Sequence, residues 1–378
     1  MAKALIIREF GEPDVLRMED VDVGAPGPAQ LRVRHTAIGL NMSDTYRRRG
    51  IYKLDLPLIV GSEGCGIVEE CGPEVDDIAP GDRIAYGGPL GSYAEERLVD
   101  AWRVVKVPDG ITDQQAAAMM LKGLTVHYLL HWTYSVQPGD TVLIHAAAGG
   151  VGLIFCQWAK HIGATVIGTV GSDEKAAIAA AHGCDHPIVY TREDFDAKVM
   201  EITDGKGVHA AYDSIGKDTI VKSIECLRPR GVAAGFGQAS GPFPLIDSAL
   251  LQRGSKFLTR PGLAEHTATR EMIETGASRL FDLVTSGNIK IEINQTYTLA
   301  DAAQAHRDLE GRKTTGSTVL VPYPLPLPLA RPLRRVGADV AFGRDRLGRE
   351  TPCEMDQVVG HELRVAFGEL VVLPGLDI

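Results

Sequence analysis

The chain has 378 residues, 44% hydrophobic and 23% charged, with 42 glycines and 21 prolines; this is ample core for two globular domains and excludes a disordered chain. Its formal net charge of −10 argues against general binding to nucleic acid or an anionic membrane and leaves small molecules as the expected partners. No stretch reaches the ~20 apolar residues of a membrane span, the start lacks a signal-peptide core, and six cysteines at 65, 71, 156, 184, 226 and 353 show no paired spacing, so the expectation is a cytoplasmic protein with reduced, mostly structural thiols.

From the start to about residue 122, short β-like runs alternate with Gly and Pro: 30–38, 66–70 and 81–86. Between the first two lies Asn41-Met42-Ser43-Asp44-Thr45-Tyr46-Arg47-Arg48-Arg49-Gly50-Ile51-Tyr52, dense in hydrogen-bonding side chains. A tyrosine combines a flat apolar face with a hydroxyl donor, which suits a planar acceptor. Asp44 and Glu63 invite reading as a catalytic carboxylate pair, but neither has an evident proton to move, and structural hydrogen bonding is preferred. The run Arg47-Arg48-Arg49 reads as a solvated face.

The apolar run Thr141-Val142-Leu143-Ile144-His145 then enters Ala146-Ala147-Ala148-Gly149-Gly150-Val151-Gly152, followed by a helical stretch to Gly163 and a second strand at 164–170. This is a βαβ unit built for a dinucleotide. Gly149 lets backbone approach a pyrophosphate, Gly152 lets helix pack on strand, and the N–H groups around Gly150 and Val151 at the helix start face the anion. Ala147 stands where the first glycine of the usual pattern falls. His145, just before the turn, reads as a satisfied histidine at a strand end.

An NAD-specific site usually places an acid about twenty residues beyond the turn to bind the ribose 2′-hydroxyl. Here that place is Gly171-Ser172, and Lys175 and Tyr190 follow within reach of a 2′-phosphate, so NADPH is expected over NADH. Asp173 and Glu174 are the competing reading, as carboxylates for a 2′-hydroxyl.

Alternating strands and helices continue through 210–216 and 231–237, as in a parallel sheet covered by helices. A helix from Thr269 to about Ser286 and a strand at 316–321 are expected to return and complete the first domain. Pro322-Tyr323-Pro324-Leu325-Pro326-Leu327-Pro328-Leu329 opens a Pro-rich extension, read as a linker or packed arm. No internal repeat of fixed period occurs.

The segments Asn41-Met42-Ser43-Asp44, Gly61-Ser62-Glu63-Gly64, Leu121-Lys122-Gly123-Leu124-Thr125 and the Ala-rich glycine turn, in that order and spacing, resemble the NADPH:quinone oxidoreductases (zeta-crystallin-like), a zinc-free branch of the medium-chain dehydrogenase/reductase superfamily. The resemblance covers about residues 1–322. It implies an α/β fold: a β-rich GroES-like substrate domain from 1–122 and 261–322, a doubly wound, parallel-sheet Rossmann domain at 123–260, and 323–378 as an atypical C-terminal tail.

By the same resemblance, Asn41 replaces the cysteine that binds catalytic zinc in related alcohol dehydrogenases and Ser62 replaces the histidine; neither is a normal zinc ligand, and no metal is expected. Without a Lewis acid the chemistry relies on the acceptor, and a quinone accepts hydride readily. The resemblance places 41–52 beside the nicotinamide, with Asn41, Tyr46 and Tyr52 as catalytic candidates and Asp44 as a cofactor contact. It adds Tyr128, Ile215, Phe236, Gly237, Leu263 and Arg312 or Lys313 to the cofactor site and Arg260 to the acceptor. Lys122 either shapes the interdomain cleft or is a plain surface lysine.

The expectation is NADPH-dependent reduction of a quinone or another small electrophilic acceptor, by a homodimer on resemblance alone. A 2-alkenal or enone reductase and a non-catalytic, crystallin-like NADPH-binding protein are the alternatives.

Overall fold

In the computed structural model, residues 1–52 and 54–322 are described; the expected Pro-rich extension at 323–378 lies outside the described residues. The strand Gln30–Leu40 organises the first half, with Leu31, Val33, His35 and Ala37 buried in alternation, the period-2 pattern of a strand with one inward face. It pairs antiparallel with Glu63–Cys71, Glu96–Asp100 and Ser317–Val321, within a seven-stranded sheet. The last pairing brings the end of the described chain back onto the first sheet.

The second sheet is six-stranded and parallel. Thr141–His145 lies inside it, with Thr165–Val170 and His186–Val189 on one side and Val208–Asp213, Leu227–Gly235 and Phe257–Thr259 on the other. The strand order therefore reverses between Thr141–His145 and Val208–Asp213, and open parallel sheets bind ligands in the crevice beyond the carboxyl ends at such a point.

Four helices position the site: α1 (Met42–Arg48), α2 (Asp113–Tyr128), α3 (Gly150–Ile162) and α4 (Asp173–Ala181). Thr112 caps α2 by accepting from the Gln115 backbone N–H, and Gln115 answers at the Thr112 N–H, a reciprocal capping box. Buried Ala116–Met120 of α2 share one core with Ala37, Cys65 and Ala85 of the first sheet and Val142 and Ile144 of the second. Position 122/123, expected as a domain boundary, falls inside this helix. Among the described residues no helix is long and apolar enough to cross a membrane, and Cys65, Cys71, Cys156, Cys184 and Cys226 are free thiols.

Candidate active site

The glycine turn opens with Ala146 at φ 56°, the left-handed region, and delivers the chain to Gly149, the N-cap of α3. A Cβ on Gly152 would stand 2.3 Å from the Ala146 carbonyl oxygen, so only glycine lets α3 start this close to the turn. The first N–H groups of a helix have no partner within it, and those of Gly150, Val151 and Gly152 begin α3 at the switch point. The cradle fits a pyrophosphate. Gly316 donates its N–H to the Ala148 carbonyl at 3.0 Å, tying the returning segment to the turn.

The residues expected at a 2′-phosphate converge. Ser172 caps α4 by accepting from the Lys175 N–H at 3.3 Å, and Thr191 Oγ1 donates to the Gly171 carbonyl, bringing 190–191 beside the end of the second strand. Lys175 Nζ donates to the Arg312 carbonyl at 2.7 Å and Arg312 Nη1 to the Tyr190 hydroxyl at 3.2 Å. Burial, and then the Arg312 charge, hold the Lys175 pKa below its ordinary value; two cations this close suit a dianionic guest. Asp173 is committed to Arg192 by a bidentate pair. Lys313 pairs with Asp308 at 3.1 Å, so of Arg312 and Lys313 only Arg312 joins the cluster.

Beyond the strand Val208–Asp213, the buried Asp213 carboxylate accepts from the N–H groups of Ile215 and Gly216 at 2.8 and 2.9 Å and fixes the turn that presents Ile215. Phe236 N–H donates to the Asp213 carbonyl, and Phe236 and Leu263 pack at the edge of the main core. His145 bonds Thr169 through Nδ1 and Ser223 through Nε2, and Ser223 Oγ donates to Asp213. This Ser-His-Asp chain is wholly buried, so it fastens the sheet and offers no nucleophile.

At the opposite end, the acceptor-side tyrosines flank the end of α1, with Tyr46 inside the helix and Tyr52 just beyond it. The Tyr46 and Tyr52 rings meet edge to face with centroids 5.9 Å apart; Tyr46 is buried and Tyr52 is 39% exposed. Burial pushes the Tyr46 hydroxyl up to about 12, against the opposing pull of the Gln238 backbone and Arg260. Arg260 donates to Gln238 Oε1 at 2.7 Å and lies over the Phe243 ring. Buried Gln238 therefore orients Arg260. The sequence reading missed it, although it directly follows Phe236-Gly237 at a strand end. Tyr128 stacks on His266 with centroids 4.3 Å apart, a second contact not foreseen.

One expectation gains a structural frame and one needs correction. Asp44, expected at the cofactor, is wholly buried, and its carboxylate accepts from the Asn41 N–H at 3.0 Å, Ser62 Oγ at 3.0 Å, Arg47 at 3.2 Å and the Tyr93 hydroxyl at 3.4 Å. Burial pushes its pKa up, with Arg47 pulling it down. The arginine run, expected as a solvated face, is not one. Arg48 is fully buried, bidentate with Glu310 at 3.0 and 2.9 Å and bonded to the Gly11 carbonyl, while Arg47 binds Ser62 and Asp44.

Asn41 and Ser62, which the family resemblance aligns with zinc ligands of related enzymes, are also engaged: Asn41 Nδ2 donates to Glu63 Oε2 at 2.8 Å and Ser62 to Asp44. No group of three or more His, Cys, Asp or Glu suited to a metal occurs among the described residues. Glu63 bonds structurally, as expected, and also accepts from Lys122 Nζ at 2.7 Å.

The family model described as alcohol dehydrogenase GroES-like domain matches residues 27–109, and that described as zinc-binding dehydrogenase matches 150–278. A quinone oxidoreductase of Pseudomonas aeruginosa is 50% identical over 325 residues, covering 85% of this chain and all of that protein. A 2-haloacrylate reductase of a Burkholderia species is 49% identical over 332 residues, 85% of this chain and 99% of that protein. The crystal structure of Escherichia coli quinone oxidoreductase complexed with NADPH superposes with a TM-score of 0.83 at 42% identity, over 85% of this chain and all of that one.

Proposed function

The chain belongs to the quinone oxidoreductases of the medium-chain dehydrogenase/reductase superfamily, and from that premise we propose that it reduces quinones with NADPH and without a metal. The observation that carries this reading is the convergence of Lys175, Tyr190 and Arg312 beside the glycine turn, a cluster suited to the 2′-phosphate that separates NADPH from NADH. Bound NADPH supplies the hydride; with one proton, a quinone becomes a hydroquinone.

The rest is done by the chain. The backbone of Gly149, Gly150, Val151 and Gly152 holds the pyrophosphate, with Gly171 and Ser172 flanking the ribose. Tyr128, Ile215, Phe236, Gly237 and Leu263 line the crevice and exclude water. Tyr46 and Tyr52 offer ring faces and hydroxyl donors to the acceptor; at about 12, Tyr46 keeps its proton throughout the working range. Arg260 orients the acceptor, and Asn41 meets the nicotinamide side. The halves 1–122 with 261–322, and 123–260, form the two walls of the cleft. We propose further a cytoplasmic homodimer; the edge strand Phe257–Thr259, with Phe257 58% exposed, supports a pairing face.

A second reading, reduction of an activated carbon–carbon double bond, is favoured by the 2-haloacrylate reductase among the relatives. Cofactor absorbance followed with NADPH or NADH against quinones, enones and haloacrylates decides between them. Quinone-dependent oxidation of NADPH, weakened in Lys175→Ala, supports the proposal. Much faster turnover of the double-bond acceptors replaces it with the second reading, and tight NADPH binding without turnover would leave a binding protein.

A further inference from the structure

The Glu63 carboxylate is wholly buried, and donors reach it from two directions. Asn41 Nδ2 and Lys122 Nζ both donate to Oε2, at 2.8 and 2.7 Å, and the Leu121 backbone N–H donates to Oε1 at 2.8 Å. Lys122 is only 4% exposed and Asn41 5%. An ion pair this dry gains little net stability over apolar residues of the same volume, so its placement calls for another account.

Two glycines make room for it. A Cβ on Gly39 would stand 2.2 Å from Glu63 Oε2, and one on Gly150 would stand 2.8 Å from Lys122 Cδ and 2.9 Å from Cε. The lysine stem therefore lies against the first residue of the phosphate-binding helix, while its ammonium is fastened to the carboxylate that holds Asn41. One side chain thus touches the pyrophosphate cradle at its middle and, through Glu63, the nicotinamide-side amide at its tip. With Nδ2 donated to Glu63, the orientation of the Asn41 amide is fixed.

We propose that Lys122 is a positioning residue for hydride transfer, which through Glu63 sets the Asn41 amide and through Gly150 holds it in register with the phosphate cradle. This rests on the reading of the cleft as a site for NADPH and a quinone. The charge of Lys122 meets neither ligand directly; it compensates Glu63 and leaves that carboxylate free to anchor Asn41. Removing the ammonium leaves a buried carboxylate with Asn41 and one backbone N–H, and the amide shifts to compensate it. Removing both charges together relieves that pull.

The test compares wild type, Lys122→Met, Glu63→Gln and the double variant, each assayed for quinone turnover with NADPH, NADPH affinity by fluorescence titration, and thermal midpoint. Lys122→Met is expected to lower kcat by about 30-fold through misplacement of reacting groups while NADPH affinity changes by less than about threefold. The double variant is expected to regain at least about fivefold of that loss, the mark of a coupled pair. Should Lys122→Met not fold, the double variant decides alone, with kcat below wild type at unchanged NADPH affinity expected. Wild-type kcat in Lys122→Met or in Glu63→Gln, an equal fall in kcat and NADPH affinity, or a double variant no better than Lys122→Met overturns the proposal. Wild-type enzyme that never oxidises NADPH with quinones overturns the functional reading instead.

Discussion

At the proposed phosphate end of the cleft, the candidate ligand-facing groups come from a turn, two helix starts and a strand end between Ala146 and Tyr190, with Arg312 alone arriving from afar. At the acceptor end, Tyr46 stands on a seven-residue helix held by partners as distant as 262 positions in sequence, the Arg48–Glu310 pair. Asp44 bonds Tyr93, the Tyr93 hydroxyl meets His306 Nε2 at 2.9 Å, and Arg48 reaches His306 Nδ1 at 3.2 Å. One end is made from local backbone geometry and the other from a buried polar chain that locks a short helix in place. Local geometry leaves a spacing in the sequence; a long-range polar chain leaves none.

The larger expected effects strike the local end. Gly152→Ala forces a Cβ to within 2.3 Å of a backbone oxygen, and overpacking of this kind costs about 1–3 kcal/mol. NADPH and NADH are both expected to bind at least about tenfold more weakly, with a lower thermal midpoint; unchanged binding in a fluorescence titration would show that the turn does not hold the pyrophosphate. Next, Lys175→Ala combined with Arg312→Ala is expected to weaken NADPH by about 100-fold and NADH by less than about threefold, since charge-assisted bonds to the 2′-phosphate are lost. Equal losses for both cofactors would break the assignment of that cluster.

At the acceptor end a smaller effect is expected. Tyr52→Phe removes one neutral hydrogen bond and is expected to lower kcat/KM for quinone by about 3- to 10-fold while leaving NADPH affinity unchanged; a steady-state assay beside a binding titration checks both. Acid probes the polar chain through His306 and the first sheet through His35. Burial, and then the Arg48 charge, hold His306 down at about 3, and burial holds His35 at about 4. The unfolded chain, with histidine near 6.5, binds the protons the folded chain refuses, so this contribution to stability falls as pH drops from about 6.5 toward 3. Thermal midpoints measured across that range should decline with acid, only slightly near pH 6; a flat profile would show that these histidines accept protons in place.

The strands at 30–40, 141–145, 165–170 and 317–321 were legible because alternation and glycine punctuation are local signals. So was the gathering of Lys175 with Tyr190, which lie near the same strand ends. Helix α2 escaped because its Ala-rich run is buried on several sides and shows no amphipathic stripe. The burial of Asp44 and Arg48 escaped for a different reason: three consecutive arginines look solvated until Glu310 and the Gly11 carbonyl come within reach through the fold. Gln238 became visible only once it was seen beside Arg260.

The most direct test is the rate of NADPH and NADH oxidation by a quinone, after dialysis against EDTA, for wild type and the Lys175→Ala/Arg312→Ala variant. The account predicts that wild type keeps its activity, prefers NADPH strongly, and loses that preference in the variant. Activity lost on dialysis and restored by zinc, or an NADPH preference that survives in the variant, would contradict it.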